Sequence, residues 1–227
     1  MNVRTGFLPV VLALSIGGVS AACSTTTSST ATARVNRRST TTTTLAPTAA
    51  GLHNELLTRS SLPASWSVTS QPGTFSLACL TDAKVVADST VHATVVFVHN
   101  AANTTLTATV FVETLAYFPN GATGQTTTID HDLDACGTVS QTNGGTKLTG
   151  TVKKLSFPAI ANEVHAWSGV LSGIPSTGSA NGVSLSVYVV AFRKGSTVGL
   201  LDYVTSSAPS VTSVAKYARQ AAKQVTA

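Results

Sequence analysis

The clearest pattern in the chain is a series of period-two alternations in its middle and second half. Val91, Ala93, Val95 and Phe97 alternate with His92 and Thr94. After a turn-like Asn100-Ala101-Ala102-Asn103, Leu106, Ala108, Val110 and Val112 alternate with Thr105, Thr107, Thr109 and Glu113. Apolar residues at every second position put one face of a strand against a core, so the two runs predict a β-hairpin. Strands are also predicted over Leu148–Phe157 and Val164–Leu171. Val183, Leu185, Val187, Val189 and Ala191 form the cleanest run, and Lys194-Gly195 turns it into Thr197–Val204 as a second hairpin.

Helical spacing appears elsewhere. Leu52, Leu56 and Leu57 suit one face of a short helix that stops before Pro63, and Asp82–Asp88 suits another, with Thr81 as its N-cap. Ile129, Leu133 and Cys136 lie at i, i+4 and i+7 in a helix expected over Ala122–Cys136, after the break at Pro119 and Gly121. Ser210 caps a last helix. Its stripe is Val211, Val214, Ala215, Ala218, Ala221, Ala222 and Val225, with Lys216, Arg219 and Lys223 outside it. Strands joined by short turns imply an antiparallel sheet, and an amphipathic helix must cover one of its faces. The expectation is an α+β fold, with about six antiparallel strands packed against helices that include the C-terminal one.

Ahead of this domain the pattern changes twice. Arg4 followed by the apolar Phe7–Val19 reads as a signal peptide over residues 1–22, too short to span a bilayer. Ser20-Ala21-Ala22-Cys23 then matches a bacterial lipobox, except that Ser20 stands where Leu is usual. Residues 23–50 are Ser/Thr-rich, with little to bury, and are expected to form a disordered tether of roughly 28 Å end to end. The folded domain is expected over 51–227.

Three cysteines sharpen this reading. Exported proteins meet oxidising conditions, where an unpaired thiol is unusual. If Cys23 carries lipid, Cys79 and Cys136 remain and can pair; if it does not, one thiol is left over, as in a soluble secreted protein. The Cys79–Cys136 loop would contribute roughly 4 kcal/mol on a chain-entropy treatment.

Charge removes one class of function. The formal net charge is +5, but Arg4, Arg34, Arg37 and Arg38 all precede the domain. From Gly51 onward ten Lys/Arg face nine Asp/Glu. A near-neutral domain lacks the electrostatic attraction that dominates nucleic-acid binding, so no nucleic-acid partner is expected.

Asp132-Leu133-Asp134-Ala135-Cys136-Gly137, the closing Val211–Val225 helix and the lipobox-and-tether order carry a family resemblance. Together they resemble actinobacterial envelope lipoproteins. From about Leu52 to Ala227 the chain resembles the extracellular sensor domain of mycobacterial serine/threonine kinases. The resemblance implies a sandwich fold and a non-catalytic binding role. Those sensor domains usually carry two disulfides, and this chain can form one.

Candidate chemistry is sparse. Asp130-His131-Asp132-Leu133-Asp134 alternates carboxylates like a calcium loop, but Ala135 and Gln141 stand where that loop needs Gly and Glu. A helix face with its acids in the first turn, turned to solvent, is the expectation, and no metal is expected. His53, His92, His99, His131 and His165 form no zinc-spaced cluster. His165 and Trp167 share one side of a strand. They are the candidate ligand-binding pair, although packing is the more ordinary role for such a pair. No Gly-x-Ser-x-Gly elbow, phosphate-binding glycine loop or cofactor motif appears, and no catalytic residue is assigned.

The functional expectation is therefore a membrane-anchored extracytoplasmic lipoprotein, acylated at Cys23 and facing outside the cytoplasm. Its domain would be non-catalytic, ligand-binding or sensor-like. Its partners would be the membrane, through the lipid, and a small molecule, lipid, glycan or envelope protein. An envelope hydrolase with dispersed catalytic residues and an assembly protein docking an envelope partner are the alternatives.

Overall fold

The computed structural model describes residues 46–69, 77, 79–100, 108–143, 146–174, 182–206 and 209–226. The signal peptide, Cys23 and all but the last residues of the tether lie outside them. So do residues 101–107 of the first hairpin's loop, Gly144-Gly145 and most of Ser176–Gly182.

In chain order the elements are α1 (Ala49–Asn54), a 3-10 turn (Arg59–Ser61), β1 (Ser67–Thr69), α2 (Asp82–Val86), β2 (Val91–Asn100), β3 (Ala108–Tyr117) and α3 (Ala122–Asp134). There follow β4 (Thr138–Asn143), β5 (Thr146–Lys154), β6 (Glu163–Gly173), β7 (Val183–Lys194), β8 (Thr197–Thr205) and α4 (Val211–Gln224). The strands form one antiparallel sheet in the order β1-β2-β3-β8-β7-β6-β5-β4.

Both predicted hairpins are present. The β7–β8 hairpin stands at the centre of the sheet and turns at Gly195, whose φ of 58° suits a residue without a Cβ. The sheet has eight strands where about six were expected. The two extra strands are both edges. β1 has only three residues, and in β4 Val139 is buried while Thr138 and Ser140 are exposed. Edge strands of that length and polarity carry too little alternation to be seen in sequence.

Helices cover both faces of the sheet. On one face α1, the segment after it and α4 pack on Phe97, Phe111, Leu115, Val190, Phe192, Leu201 and Tyr203. Phe192 lies over Gly199 on the neighbouring strand, where a Cβ would fall inside its ring. On the other face α2 and α3 pack on Ala116, Trp167, Leu171, Val189, Ala191, Val198 and Leu200. Each large side chain fully buried in this way contributes on the order of 1.5–3 kcal/mol.

Helix ends largely follow the expected caps. Thr81 Oγ1 accepts from the Lys84 N–H at 3.3 Å, and Ser210 Oγ accepts from the Ser213 N–H at 3.3 Å. The first helix differs from expectation. It starts at Ala49, with Thr48 as its cap, and ends at Asn54, so Leu56 and Leu57 are buried from a non-helical stretch beyond it. A disulfide joins Cys79 to Cys136 across 5.5 Å between Cα atoms, tying the loop before α2 to the end of α3. No helix among the described residues is long and apolar enough to cross a membrane.

Candidate functional site

The densest polar chemistry lies where α3 crosses β5, β6 and β7. Alternation along β6 sends Glu163, His165 and Trp167 to the face beneath α3, and i, i+4 spacing sends Thr126, Asp130 and Asp134 down from the helix toward them. Lys154 at the end of β5 and Arg193 near the end of β7 complete the group.

Glu163 takes three donors. His165 Nε2 lies 2.9 Å from its Oε1, while Arg193 Nε and Thr126 Oγ1 each donate to its Oε2 at 3.0 Å. The other nitrogen of His165, Nδ1, faces Asp130 Oδ1 at 3.0 Å. Lys154 Nζ bridges the helix acids, 2.8 Å from Asp130 and 3.5 Å from Asp134. Trp167 is fully buried, and its indole Nε1 donates to Asp134 Oδ1 at 3.1 Å.

These contacts set the acidities. Partial burial raises the Glu163 carboxyl, but the hydrogen bonds from His165, Arg193 and Thr126 outweigh it and hold the group below its ordinary range. The Trp167 indole, with Lys154 beside it, likewise holds Asp134 low. The hydrogen bond to Asp130 raises Lys154 against a smaller effect of desolvation. The site is a set of opposite charges in mutual contact, and it fastens α3 to the sheet.

The Asp130–Asp134 segment departs from its expectation. It lies in the last turns of α3, not the first, and its acids do not simply face solvent. Asp130 and Asp134 pair with Lys154, and Asp132 pairs with Lys84 at 3.3 Å. Acids at a helix C-terminus oppose the helix dipole, and these cations offset that. His131 is exposed.

The candidate pair His165 and Trp167 does share one side of β6, with rings stacked at 6.1 Å. Trp167 packs beneath α3 and does not line an open groove; His165 keeps about a fifth of its surface. Of the other histidines, His53 and His92 are exposed and His99 lies against Trp66 at 5.5 Å. Among the described residues, no three His, Cys, Asp or Glu side chains are placed to hold a metal ion. Cys23 lies outside the described residues.

Sequence reasoning missed Glu163, Arg193 and Lys154 as members of one site. Glu163 and His165 at i, i+2 on one strand and Asp130 and Asp134 at i, i+4 on one helix were the available signals. Beside the network, a cleft of about 280 Å³ is bounded by Phe118, Pro119, Asn120, Ala122, Thr123 and Ser196. Arg193 Nη1 reaches the carbonyl of Gly195 on its rim at 3.4 Å.

These elements define a class: an α+β domain whose single antiparallel sheet carries helices on both faces and a disulfide at the end of its middle helix. Among solved structures it is similar to the extracellular domain of PknH from Mycobacterium tuberculosis, with a TM-score of 0.54 and 12% identity over 78% of this chain and 96% of that one. At that identity the likeness is one of fold, and it bears out in part the resemblance carried by the Asp132–Gly137 motif and the closing helix. No family model matches the chain, and no curated protein is significantly similar to it.

Proposed function

We propose that this chain is an extracytoplasmic lipoprotein: cut before Cys23, acylated there through a thioether, tethered by the Ser/Thr-rich stretch, and presenting a non-catalytic, sensor-like domain that binds a small molecule, lipid, glycan or envelope protein. The observation that carries the reading is cysteine parity. Cys79 and Cys136 are joined, which leaves Cys23 as the remaining cysteine, directly after Ser20-Ala21-Ala22. The fold shared with a domain that works outside the cell supports the same address. The chemistry beneath α3 supports the non-catalytic part. His165 sits between two carboxylates, its Nε2 bonded to Glu163 and its Nδ1 facing Asp130, and only about a fifth of its side chain is exposed, a setting that fits an ion-pair network better than a general base.

The test is detergent-phase partitioning and intact mass of the full-length protein expressed in an actinobacterial host. The wild type is expected in the detergent phase, with an N-terminal mass beyond that of the polypeptide equal to two or more acyl chains, palmitate among them. Cys23→Ala is expected in the aqueous phase without that mass. A wild type that partitions into water with an unmodified Cys23 overturns the anchor. Native mass spectrometry of the same preparation addresses the binding role: a mass excess lost on denaturation identifies a held ligand. Turnover of an envelope ester, peptide or glycan that a single substitution abolishes would replace this reading with the hydrolase.

A further inference from the structure

Glu113 sits mid-strand in β3 on the aromatic face, fully buried, opposite Val95 on β2 and Leu201 on β8. Its Oε2 accepts the backbone N–H of Leu57 at 2.7 Å, and its Oε1 has no hydrogen-bond partner among the described residues. Leu57 belongs to the stretch that leads from α1 through the 3-10 turn to β1. That stretch lays Leu52, Leu56, Leu57, Leu62 and Trp66 on the same face. Two side-chain bonds hold it to the C-terminal end of the chain, Gln224 to Ser61 at 3.3 Å and Thr226 to Glu55. To the strand beneath, the Leu57–Glu113 bond is its tie.

We propose that Glu113 is a proton-controlled clasp for residues 49–66: the neutral carboxyl keeps the segment seated on the sheet, and the ionised carboxylate unseats it. The reasoning is one of solvation. A neutral carboxyl tolerates an apolar site with a single N–H partner far better than a carboxylate does, because a buried charge needs several donors or a counter-ion. Once ionised, Glu113 gains water by displacing whichever cover is held least firmly. β2 and β8 are held to β3 by continuous backbone ladders of ten and eight residue pairs. The segment is held by apolar contact, the Leu57 N–H bond to Glu113 and two side-chain bonds to the C-terminal residues, with no comparable ladder, so it yields first.

Burial pushes the Glu113 carboxyl up to about 8, with the Leu57 N–H pulling the other way. The charged and titratable groups of the surrounding elements are engaged or turned away. Arg59 donates to the carbonyls of Leu62 and Ala64, and Lys194 to those of Ala222 and Val225. His99 packs on Trp66, and His53, Lys216, Arg219 and Lys223 are exposed. Tyr203 is raised by burial to about 12 and Tyr217 is raised in the same direction. The clasp is independent of acylation at Cys23, so it stands or falls separately from the anchor.

The test is acrylamide quenching of tryptophan fluorescence in the full-length protein. Trp66 lies in the segment, and Trp167, fully buried beneath α3 on the other face, supplies a constant background. Between about pH 6 and about pH 9.5 the wild-type quenching constant is expected to rise about twofold or more, with a midpoint near 8. Glu113→Gln keeps an acceptor for the Leu57 N–H but cannot ionise, and its quenching is expected to stay low throughout. A flat wild-type profile, or a Gln variant that keeps the rise, overturns the proposal. If Glu113→Gln shows no cooperative thermal transition, Glu113→Met takes its place and is read the same way.

Discussion

The two faces of the sheet treat their glutamates in opposite ways. Beneath α3, Glu163 keeps about a quarter of its surface and collects His165, Arg193 and Thr126. Under the α1 segment, Glu113 has no surface and one backbone N–H. The same side chain is held below its ordinary acidity range in the first setting and pushed up to about 8 in the second. The difference comes from the donors each meets. Where charged partners are at hand, their hydrogen bonds outweigh the penalty of partial burial; where there is one amide in an apolar surround, burial wins. Both faces are packed with apolar side chains, but the α3 face adds a charged network while the other buries a lone carboxyl, so each should weaken at its own end of the pH scale.

The largest effects should show no such asymmetry. Phe111 and Trp167 are fully buried on opposite faces. Phe111→Ala and Trp167→Ala should each lose about 3–5 kcal/mol in urea unfolding at neutral pH, because a large cavity is expensive on either face. A much smaller loss for Trp167→Ala would mean that the charged network, not apolar packing, carries the α3 face.

Glu113 comes next. Its folded-state pKa lies above its unfolded value, so the folded state binds the extra proton between about 4.5 and 8. Its contribution is therefore fully present at low pH, and stability falls as pH rises through that window. A shift of that size corresponds to about 5 kcal/mol at most. Release of the α1 segment caps the loss, so roughly 2–4 kcal/mol is expected between about pH 5 and about pH 9. Glu113→Gln should flatten this slope in urea midpoints measured across the range. An unchanged slope would place the alkaline sensitivity elsewhere.

Much of this fold was legible, because most strands keep one clear alternation and α4 keeps an unbroken stripe. β3 shows where pattern reading stops. Counting Val110 and Val112 as the buried side assigned Glu113 to the polar one. Yet Phe111, Glu113 and Leu115 are as buried as Val112 and Thr114, because β3 lies inside a sheet covered on both faces. Alternation cannot rank two faces that are both interior. The charged site was hidden for another reason. Asp130, Lys154, Glu163 and Arg193 are far apart in sequence and meet only because α3 lies across three strands. The Cys79–Cys136 pair, by contrast, followed from counting alone once Cys23 was expected to carry lipid.

The smallest effect tests the α3 face directly. Glu163 has its folded-state pKa below the ordinary value, so its contribution is present above about 4.5 and is lost as pH falls through the folded value. Glu163→Gln should cost roughly 1–3 kcal/mol at neutral pH, in the range of charge-assisted hydrogen bonds, and progressively less in acid as the wild-type carboxyl takes up its proton below the ordinary carboxylate range. Arg193 and His165 would each lose an anionic partner, so the loss should exceed that of an exposed ion pair. Thermal melts of both proteins from about pH 7 down into strong acid decide the matter through the convergence of their curves. Curves that stay parallel would mean that Glu163 matters through its shape and not through its charge. The contrast between the two glutamates would then reduce to burial alone.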